Sequence, residues 1–246
     1  MTYQSAGSDS AAFFKAGLCY TYAFYGQTGA ANTEIPLLLI RNTSTTKLQR
    51  IFDEIASSPK SPNISRTAFR IYMGPTVSTV LATAGRTLTF TNVGAADRIT
   101  ASSGSFVADG FRVGSAVTIT GTASNNIVTG VIASVTATML TFTATTSLVN
   151  EGPLSSVARI TGYGTTLGVV GLRSGQPASA MAVTSMPSVS SNGTLVDAYG
   201  AINTPTSRLL NLSVGTEPGG SYLVTTDCSS AAEFIAFAQK WVEETL

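Results

Sequence analysis

Leu18-Cys19-Tyr20-Thr21-Tyr22-Ala23-Phe24-Tyr25 runs without a breaker and closes on Gly26. Aromatic and β-branched residues fit a pleated, half-buried surface, so the stretch reads as a strand. Ile35-Pro36-Leu37-Leu38-Leu39-Ile40-Arg41 reads as a second, with Pro36 at its start, where losing a donor costs little. Thr67 to Met73 alternates and stops at Gly74-Pro75. Ala180 to Val183, Arg208 to Val214, and Tyr222 to Thr226 after the turn Pro218-Gly219-Gly220 continue the pattern. Two stretches fit either period. Leu48, Ile51, Phe52 and Ile55 suit a helix, whereas Gln49-Ile51-Asp53-Ile55 alternates; Phe234, Phe237 and Trp241 suit a helix, whereas Ile235, Phe237 and Trp241 share a strand face. Their surroundings are all β, so both are expected as strands and the chain as all-β.

Composition narrows the function classes. The chain of 246 residues has 14 basic and 13 acidic side chains and no histidine, while Ser and Thr number 65. A net charge of +1 excludes general polyanion binding through a basic tail, and no aromatic–basic interleaving supports direct nucleic-acid contact. Mean hydropathy is +0.26, and charged residues make up 11% where about 25% is usual. Such a neutral surface calls for many hydroxyls and amides or for partners that cover it. Without histidine there is no Ser-His-Asp triad, no Cys-His dyad and no imidazole metal site. Cys19 and Cys228 are too far apart for a CxxC pair and are expected as free thiols, with a disulfide open only if the first and last strands are neighbours. The N-terminus lacks a basic region followed by a long apolar one, and Ile35–Ile40 is far too short to cross a bilayer. A protein made in the cytoplasm, without a membrane partner, is expected.

From about Arg86 to Ile160 the texture changes: Thr, Ser, Val and Ala dominate, with four Arg, three acids and no Lys. Short strands are expected at Thr87–Thr91, Asp97–Ala101, Ala116–Thr120, Gly130–Val135, Met139–Thr143 and Ser156–Thr161, separated by turn signals such as Ser103-Gly104, Asp109-Gly110 and Asn125-Asn126. Six short strands in this span suggest a small barrel or sandwich of its own. Phe106, Phe111 and Val113 are its expected core residues; Gly104, Gly110 and Gly114 permit tight turns, and Asp109 is expected to cap one.

The run Asp97-Arg98-Ile99-Thr100-Ala101-Ser102-Ser103-Gly104-Ser105-Phe106-Val107-Ala108-Asp109-Gly110-Phe111-Arg112-Val113-Gly114, then Val117-Thr118-Ile119-Thr120-Gly121 and Ile132 to Phe142, resembles a module that recurs in tailed-bacteriophage structural proteins, in tails and on heads. The flanks, with Glu34 to Asn42, Tyr72 to Thr76, Gly162 to Leu167, Arg173 to Pro177 and Trp241 to Glu244, resemble in style the β-sandwich of capsid decoration and head-fibre proteins. The resemblance implies a discontinuous, jelly-roll-like outer sandwich formed by 1–84 and 163–246, with a small all-β module at 85–162 inserted in a loop.

Candidate chemistry is sparse. Asp53-Glu54 and Glu243-Glu244 are adjacent pairs whose members point to opposite faces of a strand, so neither converges for acid–base work; both are expected as solvated surface charge. Gly162-Tyr163-Gly164 has Leu167 where a dinucleotide fingerprint needs glycine, and it reads as a turn. Four Asn-x-Ser/Thr sequons carry no weight without a secretion signal. Aromatic groups at Tyr20, Tyr22, Phe24 and Tyr25, and at Phe234, Phe237 and Trp241, suit a sandwich core or subunit interface, with a glycan platform as the alternative. One charge feature stands out: Arg41, Lys47, Arg50, Lys60, Arg66 and Arg70 face only Asp53 and Glu54 in that span. Arg41, Lys47, Arg50, Arg66 and Arg70 are therefore candidate partner-contact residues, beside the plainer reading of ordinary solvated faces.

Taken with the resemblance, these readings imply a non-enzymatic virion protein without cofactor or metal. It is expected on the capsid surface as a decoration or cement protein that binds the major capsid protein, and as a closed homo-oligomer such as a trimer. A tail, baseplate or fibre component is the alternative, and a host-glycan-binding module is another.

Overall fold

Strands buried on both faces take the centre of one sheet of the larger unit, and a strand that alternates between buried and more exposed positions takes the centre of the other. The computed structural model describes residues 19–27, 31–57, 67–81, 85–172, 174–201, 206–209, 215–230 and 234–245. The chain divides into two units: Met1–Gly74 with Thr166–Val183 and Thr194–Leu246, and Pro75–Thr165 with Thr184–Gly193. All regular structure among the described residues is β.

The larger unit is a β-sandwich. One sheet has the order Val170–Gly171, Cys19–Gln27, Phe234–Thr245, Lys47–Ser57, Thr206–Leu209, with Gly215–Thr216 also pairing Lys47–Ser57. The other has the order Thr165–Leu167, Met181–Ser185, Ile35–Asn42, Ser221–Cys228, Thr67–Met73, Thr194–Ala201. Pro36 to Ile40 are buried without interruption, as a strand covered on both faces requires. Their register against Ser221–Cys228 slips between Pro36 and Leu38, where proline has no N–H to give to the ladder.

Both ambiguous stretches are strands, and they pair with each other antiparallel from Ala236↔Ser57 to Thr245↔Lys47. Ile235, Phe237, Gln239 and Trp241 are buried at every second position, whereas Phe234 is 61% exposed, which a helical face would not produce. The alternation Gln49-Ile51-Asp53-Ile55 does not persist through the strand. Lys240 pairs with Asp53 and Trp241 with Ile51, so Phe52 is an extra residue and the phase shifts: Gln49 and Ile51 are buried before the bulge, Glu54 and Ala56 after it. Tyr20, Tyr22 and Phe24 point inward, and rings of the two sheets meet at Phe69–Phe237 with centroids 5.8 Å apart. Thr194–Ala201 was not expected from sequence; Asp197 and Gly200 weaken its β signal, and only its pairing with Thr67–Met73 fixes it. Of the expected Arg208–Val214 strand, Leu210–Val214 lie outside the described residues.

The smaller unit contains one sheet of eight short strands, in the order Glu151–Leu154, Leu88–Thr91, Arg98–Ala101, Met139–Phe142, Ile127–Val135, Ala116–Thr120, Arg159–Gly162, Thr79–Leu81. Val80 from one end and Leu154 from the other pack on the same core as Phe90, Phe106, Phe142 and Ile160, so the sheet curls around a single interior. Thr184–Gly193 joins this unit because Val189–Ser191 pairs Thr76–Val77 and the Ser78 N–H donates to Ser188 O at 2.9 Å. Phe106 and Phe111 meet edge to face in the core, but Val113 is 57% exposed, which corrects its assignment there. The side-chain cap at this turn also differs from expectation. Ser105 Oγ accepts the Ala108 N–H, whereas Asp109 Oδ2 accepts from Arg86 Nη1 at 2.8 Å.

Gly110 has φ +88°, and a Cβ there would lie 2.1 Å from Val189 O and 2.6 Å from Ser78 Oγ. Gly110→Ala is therefore expected to destabilise the smaller unit by about 3 kcal/mol, combining a left-handed backbone with overpacking. Urea unfolding of wild type and variant measures this, with Gly94→Ala as the comparison, since a Cβ at Gly94 meets nothing within 4 Å.

Candidate functional site

The basic residues singled out from sequence are divided between the two sheets of the larger unit. Arg41 and Arg70 lie on Ile35–Asn42 and Thr67–Met73, whereas Lys47 and Arg50 lie on Lys47–Ser57 in the other sheet; Arg66 and Lys60 lie outside the described residues. Distant carboxylates meet Lys47, Arg50 and Arg70. Lys47 Nζ is 3.1 Å from Glu243 Oε2, Arg50 Nε is 2.9 Å from Glu244 Oε2, and Arg70 lies between Asp227 (2.8 Å) and Glu34 (3.6 Å). Burial alone would lower the Arg70 pKa, but Asp227 and Glu34 outweigh it and raise the pKa above the ordinary value. Lys47, Arg50 and Arg70 are thus each balanced in space by acids remote from them in sequence.

The expectation of solvated surface charge fails for two of the paired carboxylates. Glu54 and Glu243 are each 1% exposed. Glu243 accepts hydrogen bonds from Ser179 Oγ at 2.5 Å, the Ala180 N–H at 3.0 Å and Trp241 Nε1 at 3.4 Å, besides its contact with Lys47. Glu54 belongs to a network between the sheets. Gln239 Oε1 accepts from Tyr22 Oη at 2.8 Å and Tyr222 Oη at 2.7 Å, its Nε2 donates to Glu54 Oε2 at 2.5 Å, and Tyr199 Oη donates to Glu54 Oε1. Beside it, Thr216 Oγ1 donates to the buried Gln49 Oε1 at 2.9 Å. These carboxylates are occupied by internal donors and build the core; they are not presented to a substrate. The sequence did carry one sign of this, Gln239 in phase with Ile235 and Phe237, while the bulge at Phe52 hid the matching position of Glu54.

Burial governs the tyrosine hydroxyls. It pushes Tyr22 and Tyr222 well above their ordinary value, reinforced by the Glu54 charge, and Tyr20 to about 12 with a further push from Glu243. Cys19 and Cys228 are buried free thiols, and burial raises the Cys19 pKa. In the smaller unit Asp97 is held low, chiefly by the Leu148 N–H at 2.6 Å, and the Val93 N–H at 2.7 Å adds to this. For Glu151 burial acts against ionisation, but the Ala123 and Ser124 N–H groups and the Asn125 amide outweigh it. Asn125, expected as a turn signal, is buried and ties its loop to Val149 and Glu151. Among the described residues no group of three or more His, Cys, Asp or Glu side chains could hold a metal ion, and no helix is long and apolar enough to cross a membrane.

The opposite face of the Cys19–Gln27 and Phe234–Thr245 pair is unlike these interiors. Thr21, Ala23 and Tyr25 lie on it beside Lys240, Ala238 and Ala236, their partners in the ladder, and Phe234 follows at the end. Tyr25 is 80% exposed and Phe234 61%, and Lys240 is the one charge in this set. The aromatic groups read from sequence are therefore split, with Tyr20, Tyr22, Phe24, Phe237 and Trp241 in the core and Tyr25 and Phe234 outside.

No family model matches the chain, and no curated protein matches it. Among solved structures it is similar to the infectious bursal disease virus VP2 subviral particle, with 8% identity over 93% of this chain and 81% of that one and a TM-score of 0.24. It is also similar to VP17, a capsid protein of bacteriophage P23-77, with 8% identity over 92% of this chain and 98% of that one and a TM-score of 0.15. Scores this low establish no common fold.

Two outcomes follow from the buried network. Removing the Glu54 carboxylate strands the Gln239 amide and the Tyr199 hydroxyl, so Glu54→Ala is expected to cost about 2–4 kcal/mol in denaturant unfolding, against about 0–1 kcal/mol for the more exposed Glu244→Ala. The tyrosines set an alkaline limit. An unfolded tyrosine ionises near pH 10 whereas Tyr22 and Tyr222 in the fold do not, so the folded state holds more protons there. Stability is full below about pH 10 and falls by about 1.4 kcal/mol per pH unit for each above it. Unfolding free energies measured across this range should show that decline, and Tyr222→Phe should make it shallower.

Proposed function

We propose that this chain is a non-enzymatic structural protein of a tailed-bacteriophage particle, and within it a capsid decoration or cement protein bound to the assembled head. The observation that carries this reading is the outward face bearing Tyr25 and Phe234: aromatic, nearly free of charge, and exposed. Tyr and Phe are enriched at interface centres, where charged residues are depleted. Use of the buried acids Glu54 and Glu243 as internal acceptors supports a structural role over a hydrolytic one. The tailed-phage assignment draws on the resemblance of residues 97–121 and 132–142.

The partner in this reading is the major capsid protein, and the mechanism is linkage. A protein that binds only the assembled shell stabilises it by about 2.7 kcal/mol per site at a hundredfold excess over Kd. Repetition over many sites gives the particle resistance to internal pressure. Purified protein is expected to co-sediment with expanded, tail-less heads, and Tyr25→Glu combined with Phe234→Glu is expected to abolish that binding while the fold persists. Retention on isolated tails with no binding to heads would move the protein to the tail, baseplate or fibre reading.

A further inference from the structure

Two hydroxyls of the smaller unit stand where apolar side chains would be expected. Ser78 is in phase with the core residue Val80, and both Ser78 and Ser188 are fully buried. Neither Ser78 Oγ nor Ser188 Oγ has a hydrogen-bond partner among the described residues. The two serines are cross-strand neighbours. Val189 pairs Val77, so one step along the same antiparallel register Ser188 stands opposite Ser78, and the Ser78 N–H donates to Ser188 O at 2.9 Å. Directly opposed residues carry their side chains on one face, with Cβ atoms about 5 Å apart. Bare backbone lies beside both hydroxyls. A Cβ at Gly162 would be 2.4 Å from Ser188 Cβ and 3.3 Å from Phe111 Cε1, and one at Gly110 would be 2.6 Å from Ser78 Oγ and 2.1 Å from Val189 O.

We infer that Ser78 and Ser188 form a binding site for one internal water molecule, which bridges their hydroxyls and fastens Thr184–Gly193 to the rest of the smaller unit. A buried hydroxyl left unbonded costs free energy, and two such groups on one face call for a shared partner. Two hydrogen bonds of about 2.8 Å span up to about 5.6 Å, which suits hydroxyls on opposed residues that do not bond each other directly. A neutral ligand fits the place, because Val80 and Phe111 beside it are apolar and an ion there would lack compensation. Water both donates and accepts, as a pair of hydroxyls requires, and internal waters typically join polar groups of this kind. The bridge adds to the other ties of the segment, the pairing of Val189–Ser191 with Thr76–Val77 and the bond from Ser115 Oγ to Met186 O at 2.6 Å. The inference is independent of the virion reading, since it concerns the interior of one unit.

The sign of two small substitutions tests this. If the hydroxyls hold a water, Ser78→Ala and Ser188→Ala each lose a bond, and each is expected to raise the unfolding equilibrium constant in urea about fivefold. Because the two act through one molecule, the double variant is expected to fall short of the product, about 25-fold. Unbonded hydroxyls behave in the opposite way: alanine would remove a desolvated polar group without losing a bond, and the constant would stay the same or fall. A high-resolution crystal structure of the whole chain is expected to show one water within hydrogen-bond distance of both Oγ atoms. Alanine variants as stable as wild type, effects that multiply in full, or a crystal structure in which the two hydroxyls bond each other directly would each overturn the assignment.

Discussion

The amide of Gln239 is the point on which the larger unit turns. Its carbonyl accepts from Tyr22 in its own sheet and from Tyr222 in the facing one, and its amino group donates to Glu54. Apolar packing would hold two sheets together without fixing how they sit, because dispersion and the hydrophobic effect have little direction. A buried amide with partners in both sheets does have direction, since a shift of either sheet would leave polar groups desolvated and unpaired. Phe237 and Trp241, on the same strand face, supply the surrounding apolar area and exclude water from the network.

That arrangement also accounts for how the chain uses its few charges. Glu54 lies in the network, Glu243 binds Lys47, Ser179 and the Ala180 N–H, and Arg70 lies between Asp227 and Glu34. In the smaller unit Asp97 and Glu151 fasten loops through backbone N–H groups, and Arg86 pairs with Asp109. Charge serves mainly as internal fastening, which leaves Tyr25 and Phe234 on an outward face where Lys240 is the one charge among the residues named for it. A protein with such surfaces is suited to being covered.

The strand runs were legible because alternation and turn chemistry are local. Thr67–Met73 and Ala116–Thr120 are where the pattern put them, and both ambiguous stretches resolved as the β surroundings suggested. Glu151–Leu154 and Thr79–Leu81 were not legible, nor was Thr194–Ala201, since each owes its strand state to a neighbour. The candidate site was less legible than the fold. Five basic residues formed a group in sequence, yet the described four are on two sheets, and the carboxylates beside Lys47, Arg50 and Arg70 come from distant parts of the chain.

The sequence by itself determined the all-β class, the change of texture near residue 86, the lack of histidine chemistry and the scarcity of charge, because composition and period-two patterning need no knowledge of contacts. Only the tertiary structure decided which polar residues are buried and with whom. One extra residue at Phe52 turned Glu54 inward, and the pairing of Phe234–Thr245 with Lys47–Ser57 brought Gln239 to it. A strand's faces are exchanged by a slip of a single residue, so a bulge that only the partner strand reveals determines whether an acid lies in water or in the core.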